Sequence, residues 1–254
     1  MWRYERPALA CCLTLLVLGG TGVAVGLCAS LAVALPALNR QAAAIPTPAQ
    51  ADSPAPTQRA GPPPTSVVVP LADTVVLEED FSDPASGWFE NADEFTTHAY
   101  DDGAYRIVVH QVNYDAWAYA GLDLSDARVS VQAVPIAGPP DLAFGLICRL
   151  QDDHNYYAGY VTADGWAALF RKEEDDFVLL LPGDWVATDA VLPAGSNDLT
   201  LECVGDRLQL MVNGVLVAEA TDATFPRGDV GLLAATFDGP GADIRFDNFV
   251  VSEP

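Results

Sequence analysis

Two short stretches of this chain hold side chains suited to a neutral, hydroxyl-rich ligand. One contains Asn113, Tyr114, Asp115, Trp117 and Tyr119. The other contains His154, Asn155, Tyr156 and Tyr157. Aromatic rings present flat apolar surfaces on which the C–H faces of a sugar can lie, and Asn, Asp and His exchange hydrogen bonds with hydroxyls. Side chains alternate along a strand, so Tyr156, Ala158 and Tyr160 share one face and Tyr157 takes the other. One face is expected to be core and the other accessible. The competing reading is that these rings, with Trp88, Trp166 and Trp185, are ordinary sheet packing.

Other chemistries lack their residues. No Gly-x-Ser-x-Gly occurs, and no cysteine outside the N-terminal apolar run has a histidine placed to activate it. The histidines, His98, His110 and His154, show no His-Glu-x-x-His spacing for a metal. No glycine-rich phosphate loop leads from a strand into a helix. Residues 73–254 hold 33 acidic and 8 basic residues, a charge of about −25. Such a surface repels phosphates, which argues against nucleic acid or anionic lipid as a partner.

Positioning these groups falls to β-structure. Sustained 3.6-residue periodicity is absent. Short β-prone runs recur, among them Tyr105–Val112, Arg128–Ile136, Leu142–Leu150, Trp166–Arg171 and Asp243–Val251. Asp102-Gly103, Asp164-Gly165, Gly205-Asp206 and Asn213-Gly214 separate them and suit tight hairpin turns. About a dozen such runs predict two packed antiparallel sheets. Cys148 and Cys203 are the only cysteines beyond residue 28. In an oxidising compartment they are expected to form one bridge between neighbouring strands, the alternative being two buried thiols.

Several segments carry a resemblance. Leu77-Glu78-Glu79-Asp80-Phe81-Ser82-Asp83 followed by Gly87-Trp88 resembles the opening strand of concanavalin A-like lectin/glucanase domains. Gly228-Asp229-Val230-Gly231-Leu232 and Arg245-Phe246-Asp247-Asn248-Phe249-Val250-Val251 resemble their closing strands, and the similarity spans roughly 75–252. It implies an all-β jelly-roll sandwich of two antiparallel sheets with adjacent first and last strands. It also implies a choice among sugar binders, glycosidases, sensory modules and adhesion domains. Retaining glucanases of this type carry Glu-x-Asp-x-x-Glu on one strand, which aims two glutamates into a cleft. That spacing is absent here. With first and last strands adjacent, Asp80 or Asp83 would approach Asp247 and Asn248, an oxygen set suited to structural calcium. The alternative is that these groups merely satisfy backbone amides.

The chain is expected to have four parts. Residues 1–7 form a cytoplasmic N-terminus. Residues 8–38 form a transmembrane signal anchor, because no charge interrupts this apolar run and it is longer than a cleaved signal's apolar core. Cleavage near the small residues 42–44 is the alternative. Residues 39–72 form a Pro/Ala/Thr-rich linker unable to bury a core. Residues 73–254 form the extracellular sandwich. Arg3 and Arg6 before the run orient the N-terminus inward. These features predict a membrane-anchored, non-enzymatic binding module whose partner is extracellular glycan. A protein-interaction or structural module of a cell-surface assembly is the second reading, and an unusual glycoside hydrolase the third.

Overall fold

The structure, a computed structural model, describes residues 73–254 apart from residue 175. The expected anchor at 8–38 and linker at 39–72 lie outside the described residues. Alternating apolar and polar side chains build sixteen strands among the described residues. In chain order these are β1 (Thr74–Glu79), β2 (Asn91–Ala92), β3 (Thr96–Tyr100), β4 (Tyr105–Val109), β5 (Asp115–Tyr119), β6 (Ala127–Ala137), β7 (Ala143–Asp152) and β8 (Asn155–Thr162). They continue with β9 (Trp166–Glu173), β10 (Asp176–Leu179), β11 (Val186–Ala187), β12 (Asn197–Val204), β13 (Arg207–Val212), β14 (Val215–Thr221), β15 (Asp229–Ala235) and β16 (Ala242–Glu253).

These strands form two antiparallel sheets, as expected. The nine-stranded sheet runs β14-β13-β12-β6-β16-β4-β3-β2, with β1 also pairing to β16. The seven-stranded sheet runs β10-β9-β8-β7-β15-β5, with β11 also pairing to β9. First and last strands are indeed adjacent, with Thr74 opposite Glu253 and Glu79 opposite Phe249. The β13–β14 hairpin turns on Asn213 and Gly214, with φ of 50° and 77°, the left-handed pair that matches strand twist.

Between the sheets, Phe81, Trp88, Tyr105 and Phe249 form one aromatic cluster with ring centroids 5.1–5.5 Å apart. Trp88 is therefore core. Cys148 and Cys203 are disulfide-bonded and fully buried. The bridge does not join neighbouring strands of one sheet. It crosses the core from β7 to β12, because both cysteines occupy inward positions of opposed sheets.

His98 on β3 is also buried, at 5% exposure, edge-on to Phe89. Neither ring nitrogen makes a hydrogen bond of good geometry, although the Trp117 backbone lies beside the ring. Burial holds the imidazole below its ordinary value, against smaller opposing pulls from the backbone of Trp117 and the charge of Asp93. The unfolded chain thus takes up a proton near pH 6.5 while the fold still resists it. Stability should be complete above about pH 6.5 and fall below it, by up to about 1.4 kcal/mol per pH unit. Urea titrations at pH 7.5, 6.5 and 5.5 test this. His98→Phe should remove the slope, and an unchanged slope in that variant would assign it elsewhere.

Candidate ligand-binding face

The two sheets present unlike outer faces. That of the nine-stranded sheet is polar. Arg106 grips Asp243 through two hydrogen bonds of 2.8 and 2.6 Å, Arg128 pairs with Glu202 at 2.7 Å, and Asn248 donates to Gln132 at 3.1 Å. The seven-stranded sheet turns aromatic side chains outward instead. Ala116 and Ala118 of β5 point into the core, so Asp115, Trp117 and Tyr119 point out. Tyr156 and Tyr160 of β8 and Phe170 and Lys172 of β9 face the same way.

Strand register alone would leave β5 far from β8 and β9, because β15 and β7 lie between them. The outward positions of these two strands explain how they meet. Gly231 lies opposite both Tyr119 and Ile147, and Gly145 lies opposite both Leu233 and Tyr160. A Cβ on Gly145 would stand 2.0 Å from the Gly159 carbonyl oxygen, and one on Gly231 would stand 2.2 Å from that of Ala118. Neighbouring backbone therefore crowds in on the outer side at both glycines.

Over these side-chain-free positions the Trp117 ring comes within 6.0 Å of Tyr156, centroid to centroid. The Lys172 ammonium lies 4.9 Å from the Trp117 ring, 5.3 Å from Tyr156 and 5.2 Å from Phe177. Attraction to three ring faces favours an ammonium that would otherwise pay heavily for leaving water. Tyr156 donates to Asp115 Oδ2 at 3.0 Å, and Lys172 Nζ lies 3.8 Å from the same oxygen. Burial foremost, then Tyr160 and Asp115, push the Tyr156 phenol well above its ordinary value, so it stays a donor. Trp185 and Phe237 pack at 5.7 Å beyond Phe170 and cover that end of the face. Trp117 is half-buried, and Tyr119 is 52% exposed.

The expected site residues are thus partly assembled. Asp115, Trp117 and Tyr156 meet, and Tyr119 extends the surface. Tyr156 is fully buried, so it supports this surface from below and does not present a ring to solvent. Tyr157 takes no part. It faces the core side, where its hydroxyl donates to Asp222 at 2.5 Å and accepts from the Phe225 amide. Burial first, then Asp222, push its phenol up to about 12. The expectation of one accessible face on β8 is corrected, because the protein's own rings and the 181–187 segment cover the outer side as well. His154 and Asn155 close the β7–β8 turn, both bonding Asp152. Asn113 turns the chain into β5 at φ 51°, and exposed Tyr114 stacks on exposed Phe95 at 5.6 Å.

Three of the four proposed calcium ligands have a carboxylate engaged locally. Asp80 accepts from Ser82, Asp83 from Ala85, and Asp247 from the Asn248 amide. Among the described residues no three His, Cys, Asp or Glu side chains gather as a metal site.

No motif in the sequence marks Lys172 as part of this cluster. It is the chain's only lysine. Its signal was the pair Phe170 and Lys172 on one strand face, masked because the strand-like run reads as ending at Arg171 and the acidic residues 173–176 read as a solvated turn.

No family model matches the chain, and no curated protein sequence is detectably similar to it. Solved structures do match its fold. A carbohydrate-binding module, CBM66, from Bacillus subtilis aligns with TM-score 0.52 and 21% identity over 66% of this chain and 96% of its own. A Bacillus subtilis protein of unknown function with a galectin-like fold aligns with TM-score 0.55 and 15% identity over 70% and 96%. A Bacteroides ovatus protein, xyloglucan PUL GH43B, aligns with TM-score 0.53 and 15% identity over 70% of this chain but 39% of its own. At these identities the likeness is one of fold. The chain carries a galectin-like jelly-roll β-sandwich.

Proposed function

We propose that residues 73–254 form a non-enzymatic glycan-binding module that uses the outer face of the seven-stranded sheet. One observation carries the reading. Half-buried Trp117 and exposed Tyr119 stand at successive outward positions of edge strand β5, beside the partly exposed Asp115 carboxylate. A ring platform with an acceptor at its rim suits a sugar, which offers C–H bonds on one side and hydroxyls at its edge. Fold neighbours that include a carbohydrate-binding module support the same ligand class. The missing Glu-x-Asp-x-x-Glu spacing supports binding without hydrolysis. The apolar run at 8–38 and the Pro-rich 39–72 support display outside the cell on a membrane tether.

A glycan array probed with the full chain, followed by calorimetry on the strongest neutral hit, tests the proposal. Trp117→Ala should weaken binding by roughly 1–3 kcal/mol, the scale of a lost aromatic contact, with the fold intact. Unchanged affinity in that variant would reject this face. A clean negative array, with a protein captured in place of a sugar, would favour the interaction-module reading.

A further inference from the structure

We propose that Lys172 and Asp115 act together as a reader of two adjacent hydroxyls on an uncharged sugar, a specificity device that rests on the glycan reading above. Lys172 Nζ completes no hydrogen bond among the described residues, because its nearby carboxylate oxygen is 3.8 Å away and its other close neighbours are rings. Its ammonium therefore keeps donors to offer. Asp115 spends Oδ2 on Tyr156, while its Oδ1 accepts no hydrogen bond among the described residues. Both side chains retain a solvent window, 10% for Lys172 and 25% for Asp115.

A charge-assisted donor thus stands beside a charge-assisted acceptor at the foot of the Trp117 platform. One hydroxyl can accept from Nζ while its neighbour donates to Oδ1, and neither group is left unpaired. The geometry also selects against charge. A ligand carboxylate or sulfate drawn to Lys172 would meet Asp115 at once. It would also enter the field of a domain carrying about −25. The rings hold the ammonium in place without using up its N–H bonds, so the reader is organised before ligand arrives.

The solitary lysine makes the test direct. Full chain labelled with 13C at lysine Cε has a single lysine Cε resonance, whose attached Hε protons ring currents from the aromatic cage should place upfield of those of free lysine. The probe is the strongest neutral oligosaccharide from an array that also carries uronate-bearing and sulfated glycans. Its addition should shift that single resonance. Monodeoxy analogues lacking either hydroxyl of the contacted pair should bind native protein at least tenfold more weakly. In Lys172→Met, removing the hydroxyl that accepts from Nζ should cost nothing further.

The proposal is overturned if the strongest binders are uronate-bearing or sulfated. It is also overturned if a neutral sugar binds, loses affinity in Trp117→Ala, and yet leaves the lysine resonance unmoved. In that second case the glycan reading stands. Absence of binding by every glycan on the array removes both.

Discussion

Arg149→Met is expected to cost the domain about 4 kcal/mol, close to the whole stability of many small proteins. Arg149 is only 3% exposed and sits at φ 52°, where β7 is irregular. Its guanidinium donates to the carbonyls of Ser125, Cys203, Gly205 and Phe225, and reaches Asp126 at 3.5 Å. Methionine replaces the apolar stem and supplies none of these donors. Four carbonyls from three separate loops and strands then lose their common partner. Arg149→Lys should recover little, since an ammonium cannot span the planar fork. Urea unfolding followed by tryptophan fluorescence gives the number. A loss below about 1 kcal/mol would mean that water re-pairs the carbonyls and that the site is less sealed than its burial indicates.

The second large effect belongs to the disulfide next door. Cys148 and Cys203 are 55 residues apart in sequence, and closing a loop of that length stabilises the fold by about 4 kcal/mol through the unfolded chain. The Cys148→Ala, Cys203→Ala double variant should lose this amount in the same urea assay. Since Arg149 follows Cys148 and bonds the Cys203 carbonyl, the two losses share a strut between the sheets. Combined with Arg149→Met, the total should fall short of the sum. Full additivity would show that bridge and guanidinium act independently.

What the sequence reveals here follows from which signals survive in single residues. Strands with strong inward apolar positions, such as Tyr105, Ile107 and Val109 of β4, are legible from alternation. Strand β5 is not, because its inward residues are Ala116 and Ala118, which carry little hydrophobic signal. Its aromatic and acidic residues were legible as chemistry but not as a strand. The meeting of Asp115 and Trp117 with Tyr156 spans strands β15 and β7, and that strand order is not encoded in local sequence. Lys172 was hidden for a related reason: an acidic run beside it outweighed the face it shares with Phe170. The cysteine pair could be named from composition, but its crossing between sheets depends on topology.

Gly145 and Gly231 divide the outer face of the seven-stranded sheet into positions that can vary and positions that cannot. Exchanging the rings at 117, 119 or 177 changes what the surface touches while leaving its backbone in place. Any side chain at 145 or 231 would meet neighbouring backbone and force the strands apart. Related domains could therefore differ freely in the side chains of this face while inheriting one fixed backbone. Selection for the sheet itself would then leave its firmest mark on two residues that have no side chain.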